Sequence, residues 1–95
     1  MRLRWTAPAL HDLEAIGDFI AADNPTAADM TIGRILDRAE LLTVHTELGR
    51  AGRVPGTREL VVPGTPFVVP YRVSGETVEV LAVLHGARRW PDRFD

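Results

Sequence analysis

The spacing of apolar residues changes once along this 95-residue chain, and that change most constrains its fold. Up to about residue 46, apolar side chains recur every three or four positions, which is the spacing of one face of a helix. From residue 57 onward they alternate with polar residues or form short runs bounded by Gly and Pro, which indicates strands. Helices followed by a group of strands predict an α+β protein.

A short strand and a first helix are predicted at the N-terminus. Residues 3–5 are Leu-Arg-Trp, and the Thr6 that follows is a residue type that caps helices. Pro8 is tolerated in the first turn, because the first N–H groups of a helix have no intrahelical acceptor. We predict an amphipathic helix over residues 7–22. Its apolar residues at near-helical spacing are Leu10, Leu13, Ile16 and Ile20.

A second helix is predicted over residues 25–46. Asn24 can cap it, and Pro25 would occupy its first position. A short link between two such helices implies an antiparallel hairpin. The apolar stripe, with the spacing of a packed helical seam, consists of Ala28, Ile32, Ile35, Ala39 and Leu42.

The second half of the chain predicts a loop and then three strands. Residues 49–56 are rich in Gly and Arg, which indicates a loop. Pro70 cannot donate a hydrogen bond within a sheet, so we expect it at an edge or at a bulge. Short connections make the strands an antiparallel meander. The predicted strands cover residues 57–62, 67–73 and 77–84.

Length and composition bound the class of protein. We expect one domain over residues 1–95, with a short N-terminal strand, an antiparallel helix hairpin, a three-strand meander and a short C-terminal tail. The absence of Cys excludes disulfides and thiolate metal sites. No apolar run reaches the ~20 residues that span a bilayer, and no signal-peptide pattern is present. We expect a cytoplasmic protein without metal or cofactor.

The net charge of −2 conceals an uneven distribution. Residues 1–48 hold four Arg and eight acidic residues, whereas residues 49–95 hold seven Arg and five acidic residues. The two halves are therefore expected to present different surfaces to partners.

The end of the last predicted strand carries several chemically active side chains within residues 85–90, His-Gly-Ala-Arg-Arg-Trp. A buried strand has no structural need to end in this way, so we expect a contact with a partner or a phosphate. His85 could act as a general base, or it could fix the tail through backbone hydrogen bonds. Trp90 could stack on a base, fill a partner's pocket or cover the open end of the sheet.

Arginines elsewhere in the second half are further candidates. Arg50 and Arg53 could contact a phosphate or a carboxylate, or could lie in a solvated loop. Arg58 could form an ion pair with Glu59 across strands. Arg72 is expected on the sheet face opposite its core-facing neighbour, where it could meet a partner's carboxylate.

The order of predicted elements resembles that of the RelE/ParE superfamily, the toxins of type II toxin–antitoxin modules. The resemblance implies a small antitoxin as partner, whose C-terminal segment wraps the toxin and becomes ordered on binding. The residues that carry the resemblance are Asp12-Leu13, Ile16, Asn24-Pro25, Ala27-Ala28, Gly49-Arg50, Gly52-Arg53-Val54, Gly56-Thr57-Arg58-Glu59-Leu60, Tyr71-Arg72 and Val83-Leu84-His85-Gly86-Ala87-Arg88.

The superfamily contains two activities. RelE-like members resemble ribosome-dependent mRNA endonucleases, in which cations stabilise the charge that develops at one phosphate. In this chain Leu60 and Val68 stand where two of those cations are expected. On the nuclease interpretation the catalytic residues would be Arg58, Arg72, His85 and Arg88.

The resemblance is closer to the ParE-like members, which inhibit DNA gyrase. Tyr71-Arg72 and residues 84–88 match their pattern, and the net charge of −2 is not typical of a protein that binds ribosomal RNA. We therefore expect a plasmid-stabilisation toxin acting on gyrase, with ribosome-bound mRNA cleavage as the alternative. A family member without toxicity is a third hypothesis. The expected target- or partner-binding residues are Arg50, Arg53, Arg58, Tyr71, Arg72, His85, Arg88 and Trp90.

Overall fold

The computed structural model describes residues 1–94, in which one strand precedes two helices and the remaining strands follow. The predicted α+β class is confirmed. The elements are β1 (Arg2–Trp5), α1 (Ala7–Ala21), α2 (Pro25–Glu40), a 3₁₀ turn (Leu41–Thr43), β2 (Arg50–Ala51), β3 (Arg58–Val61), β4 (Phe67–Ser74), β5 (Thr77–Val80) and β6 (Leu84–His85).

Both helices begin at the predicted capping residues. The Thr6 hydroxyl accepts a hydrogen bond from the Ala9 N–H at 3.4 Å and donates to the Val80 carbonyl at 2.8 Å, so the cap also ties α1 to the sheet. The Asn24 side-chain oxygen accepts from the Ala27 N–H at 3.0 Å. The two helices pack against each other as the expected hairpin.

The prediction that the second helix continues to residue 46 is wrong, since α2 ends at Glu40 and the chain tightens into the 3₁₀ turn. β-Branched residues of low helix propensity follow, and the Thr43 hydroxyl donates to the Glu40 carbonyl at 2.8 Å. The Thr46 carbonyl accepts a hydrogen bond from the Tyr71 hydroxyl. These side-chain contacts replace the hydrogen bonds of a continuing helix.

The strands form one mixed sheet in the order β1-β5-β4-β3-β2, and β6 pairs with the start of β4. The predicted antiparallel meander of β3, β4 and β5 is confirmed. β1 lies parallel to β5, with Leu3 opposite Val78. The loop predicted over residues 49–56 contains the short strand β2.

The last predicted strand, residues 77–84, is interrupted where it passes Pro70 of the neighbouring strand β4. Between the pairs Tyr71–Val80 and Val68–Leu84, β4 has two residues and the facing chain has three, residues 81–83. The Pro70 carbonyl accepts from the Leu81 N–H at 2.9 Å, so the missing Pro N–H faces the extra residue. The expected bulge is confirmed, although β4 is a central strand and not an edge.

The core lies between the helices and one face of the sheet. On that face Leu60 pairs with Val69, and Tyr71 pairs with Val80. The opposite face of the sheet, which carries Glu59, Arg72 and Glu79, has no helix packed against it among the described residues. We call it the outer face. The buried core cluster consists of Ala9, Ile35, Leu42, Leu60, Val62, Val69, Tyr71, Val78, Val80 and Val83.

Candidate functional site

Tyr71 belongs to the interior of the protein. Its side chain is fully buried; its hydroxyl donates to the Thr46 carbonyl at 2.6 Å and accepts from the Gly49 N–H at 2.9 Å. Burial raises the pKa of Tyr71. Only glycine fits at position 49, because a Cβ atom there would lie 2.6 Å from the Tyr71 ring. Tyr71 therefore holds the segment before β2 in place.

Arg58 lies opposite Tyr71 in the sheet, on the helix side. Its guanidinium donates to the Gly49 carbonyl at 2.8 Å. Arg58 and Glu59 do not pair with each other, because adjacent residues of one strand face opposite sides. Arg58 thus supports the same segment that Tyr71 holds.

Glu59 is the centre of an ionic cluster on the outer face. Only 2% of its side chain is exposed, and Arg50 pairs with it across β2 and β3 at 3.3 Å. Arg53 binds the same carboxylate through its backbone N–H at 2.7 Å and through Nε at 3.5 Å. A buried carboxylate requires such partners. The loop arginines are therefore anchored, with roughly half of each side chain still exposed.

Glu79 is the centre of a second cluster on the same face. Arg4 and Arg72 lie opposite it on the two neighbouring strands. Their guanidinium groups approach the Glu79 carboxylate at 2.5 and 2.9 Å. Hydrogen bonds from Arg4, and then from Arg72, lower the pKa of Glu79. Arg72 is thus on the face expected from the sequence, paired within its own chain.

His85 fixes the start of the C-terminal tail. Its Nδ1 accepts from the Ala87 N–H at 3.1 Å, and its carbonyl accepts from the Trp90 indole N–H at 3.1 Å. Because Nδ1 accepts a hydrogen bond, the neutral ring carries its proton on Nε2. This geometry supports the structural interpretation of His85, since the basic nitrogen is already in use.

Trp90 packs against Arg53, whose guanidinium carbon lies 3.7 Å from the centre of the indole ring. Arg53 also donates to the Gly86 carbonyl at 3.4 Å. One arginine therefore joins the Glu59 cluster to the tail. The tail in turn forms one wall of a large groove.

The groove, with a volume of about 620 Å³, lies between α1 and the C-terminal tail. Phe19 stands at its edge with 79% of its surface exposed. Arg88 and Arg89 contribute the charged part of the lining. The groove is lined by Ala15, Ile16, Phe19, Ile20, Thr31, residues 64–67, residues 83–85, Arg88, Arg89 and Trp90.

Sequence reasoning missed Phe19. The predicted apolar stripe of the first helix is Leu10, Leu13, Ile16 and Ile20, of which Leu10 is itself exposed, and Phe19 lies beside that stripe. The signal was a large aromatic residue on the polar side of an amphipathic helix, where no packing requires it. The groove itself depends on how the tail folds back, which no local pattern shows.

The four candidate nuclease residues are not gathered around one point. Arg58 is on the helix side of the sheet, whereas Arg72 is on the outer face. His85 lies opposite Phe67, four residues along β4 from Tyr71, which is about 13 Å. Arg88 is exposed in the tail. The positions that lack the expected cations, Leu60 and Val68, are buried.

Neither a metal site nor a membrane helix is found among residues 1–94. No group of three or more His, Asp or Glu side chains in this part of the chain could hold a metal ion. No helix there is long and apolar enough to cross a bilayer.

The sequence matches a known family and named relatives along most of its length. The sequence profile of the family described as "ParE toxin of type II toxin-antitoxin system, parDE" matches residues 3–90. Y4kP of Sinorhizobium fredii, which is named as a toxin, is 42% identical over 90 residues, covering 95% of this chain and 93% of that protein. Toxin RelE2 of Caulobacter vibrioides is 36% identical over 84 residues, covering 88% and 93%.

A solved structure gives the same result for the fold. The structure described as the chromosomal ParDE TA system from P. aeruginosa superposes with a TM-score of 0.78 at 32% identity, covering 87% of this chain and 92% of that chain. Strand, helix hairpin and mixed sheet together define a toxin of the RelE/ParE superfamily. The chain belongs to the ParE toxin family of type II toxin–antitoxin systems.

Proposed function

We propose that this ParE-family toxin acts on DNA gyrase and that its cognate antitoxin neutralises it by occupying the groove. The observation that carries the antitoxin part is Phe19, a large apolar side chain left 79% exposed at the edge of an apolar groove of about 620 Å³. Apolar surface concentrated in this way is typical of a site that a partner covers.

The lining of the groove defines the chemistry of the antitoxin segment. Ile16, Ile20 and Phe67 offer apolar surface for the anchors of an amphipathic helix. Arg88 and Arg89 favour acidic residues beside those anchors. A segment of this kind is disordered when unbound and folds against the toxin. Burial of its apolar side chains would account for most of the affinity.

Gyrase is proposed as the target because the side chains are arranged for contact more than for catalysis. The four candidate nuclease residues are dispersed, and the His85 nitrogen that would serve as base accepts a backbone hydrogen bond. Exposed groups such as Arg88 remain suited to binding. The toxin would then act in the cytoplasm by holding gyrase on DNA.

A gyrase supercoiling assay with purified, antitoxin-free protein, run beside mRNA cleavage on programmed ribosomes, tests the target. We expect loss of supercoiling, accumulation of cleaved DNA and intact mRNA. The matched variant is His85→Gln, which keeps a side-chain acceptor for the tail, and it should inhibit gyrase as the unmodified protein does.

Two other outcomes would contradict the proposed target. Cleaved mRNA with unaffected gyrase, lost in His85→Gln, would establish a RelE-type nuclease. Activity in neither assay, with tight antitoxin binding retained, would establish a family member without toxicity.

A further inference from the structure

The outer face of the sheet collects positive charge in a chain that is acidic as a whole. Strand register places Arg2, Arg4, Arg50 and Arg72 on this face, and Arg53 reaches it from the loop after β2. Among the strand residues that the structure describes, Glu59 and Glu79 are the acidic residues on this face, so together with the five arginines they give it a charge of +3. Because the whole chain carries −2, the remainder carries −5. The protein is therefore strongly polarised, and its outer face would turn toward a polyanion.

The arginines of this face are held in position before any partner arrives. Two arginines flank the Glu59 carboxylate, and two others flank that of Glu79. Between 42% and 59% of each of these arginine side chains remains exposed. Each guanidinium has five N–H donors, so each keeps donors that can bind an incoming anion. A side chain that is already ordered loses less entropy when it binds.

The strands of the outer face expose little apolar surface, and the aromatic ring beside them, Trp90 of the tail, is stacked on Arg53. Among residues 1–94, Val61 is the large apolar side chain that stands well exposed on this face, at 42%. Pro70, which lies between the two ionic clusters, is buried, and so is Val68, which lies beyond it beside Gly86 of the tail. Protein interfaces depend on buried aromatic and aliphatic anchors, whereas contacts to a phosphate backbone are made mainly by charged and polar groups and need no such anchor.

The dimensions of the face also fit a nucleic-acid backbone. Arg4 on β1 and Arg50 on β2 are separated by four strand spacings, which is about 19 Å. Duplex DNA carries one phosphate per ~3.4 Å of each strand, so a stripe of this length meets several of them. We propose that the outer face binds the phosphate backbone of duplex DNA, independently of sequence. Binding of this kind needs no gyrase and goes beyond the proposed target.

Fluorescence anisotropy of a labelled 20-base-pair duplex, titrated with the full chain at several salt concentrations, tests this proposal. We expect affinity in the micromolar range at about 50 mM salt, with a logarithmic salt slope near −3. The double variant Arg4→Gln, Arg72→Gln should bind at least about tenfold more weakly, with the slope reduced in magnitude by about 2. The control, Arg34→Gln with Arg38→Gln on α2, makes the same change in net charge and should bind within about twofold of the unmodified protein.

A second variant keeps the test decisive if the first fails to fold in a thermal melt. Arg2→Gln with Arg50→Gln removes two charges from the face while each carboxylate keeps an arginine partner, and it should weaken binding equally. The proposal is overturned if the unmodified protein does not bind the duplex at about 50 mM salt, or if the α2 control weakens binding as much. It is also overturned if the outer-face variants lose affinity for the antitoxin while still binding DNA, since the face would then serve an acidic protein.

Discussion

The groove and the outer face differ in chemistry: the groove exposes apolar surface, and the outer face exposes arginines that are already paired within the chain. The groove leaves apolar surface uncovered, with Phe19 79% exposed. The outer face has its charges partly satisfied from within the chain, since Glu59 and Glu79 each bind two arginines. Covering the groove removes apolar area from water at about 25 cal/mol per Å², a term that salt hardly weakens. Contacts to the outer face are electrostatic and therefore screened by salt.

This difference suggests two kinds of partner. The groove suits a segment that binds tightly and stays, as an antitoxin must. The outer face suits a transient contact with a charged surface. If the two regions are independent, a change in one should leave binding at the other unaffected.

The largest expected effect is at Phe19. Phe19→Asp should weaken antitoxin binding by more than about 100-fold, because it replaces an apolar anchor with a charge that must be desolvated. The stability of the free toxin should hardly change, since the side chain is already exposed. Isothermal titration calorimetry with the antitoxin measures this, and Leu10→Asp, exposed on the same helix but outside the groove, is the control. Equal losses in both variants would mean that the antitoxin does not occupy the groove.

The second-largest expected effect is a difference in salt dependence between DNA binding to the outer face and antitoxin binding to the groove. Between about 50 and 200 mM salt, DNA binding through three phosphate contacts should weaken about 40-fold. Antitoxin binding to the groove should change by less than about threefold over the same range. Anisotropy for DNA and calorimetry for the antitoxin give both numbers. The opposite pattern would reverse the assignment of the two regions.

Tyr71 is buried on the core side of the sheet and lines neither region, so it should affect neither affinity. Tyr71→Phe leaves the Thr46 carbonyl and the Gly49 N–H without their partner, so the free energy of unfolding should fall by roughly 1–2 kcal/mol. Chemical denaturation measures the loss. Antitoxin affinity at a temperature well below the transition should stay within about twofold. A selective loss of affinity with unchanged stability would instead place Tyr71 in an interface.

The smallest effect concerns pH and the outer face. Because its arginine partners lower the pKa of Glu79, this carboxylate stabilises the fold above its ordinary value of 4.5, and that contribution is lost as pH falls through the lowered value. Glu47, whose pKa a hydrogen bond from Thr46 lowers, adds a loss of the same sign. Glu79→Gln should therefore flatten the acid side of a melting-temperature profile. An unchanged acid limb would show that the Glu79 cluster contributes no stability.

Local patterns predicted much of the fold. Apolar spacing located both helices and the meander, and the two helices are capped by Thr6 and Asn24 as expected. Pro70 predicted the bulge because its missing N–H is a purely local constraint. The helix end was misplaced because apolar spacing continues past Glu40, whereas the Thr43 hydroxyl bonds to the Glu40 carbonyl and the Thr46 carbonyl bonds to Tyr71, 25 residues away.

The surfaces were harder to predict than the fold. The arginine clusters depend on β1 inserting beside β5, which brings Arg4 next to Glu79 from 75 residues away. The groove depends on the return of the chain as β6 and on the tail held by Arg53. Contacts of this range leave no trace in local spacing. The candidate list therefore contained Arg53 and Trp90 but not Phe19.

Supercoiling by gyrase, followed while antitoxin is added to the toxin, tests the central claim most directly. The unmodified toxin should inhibit supercoiling, and an equimolar amount of antitoxin should restore it. Phe19→Asp should inhibit equally well and should remain active in the presence of that antitoxin. The opposite result is that Phe19→Asp inhibits gyrase poorly and that antitoxin still neutralises its residual activity. The groove would then bind gyrase and not the antitoxin, which contradicts the proposal.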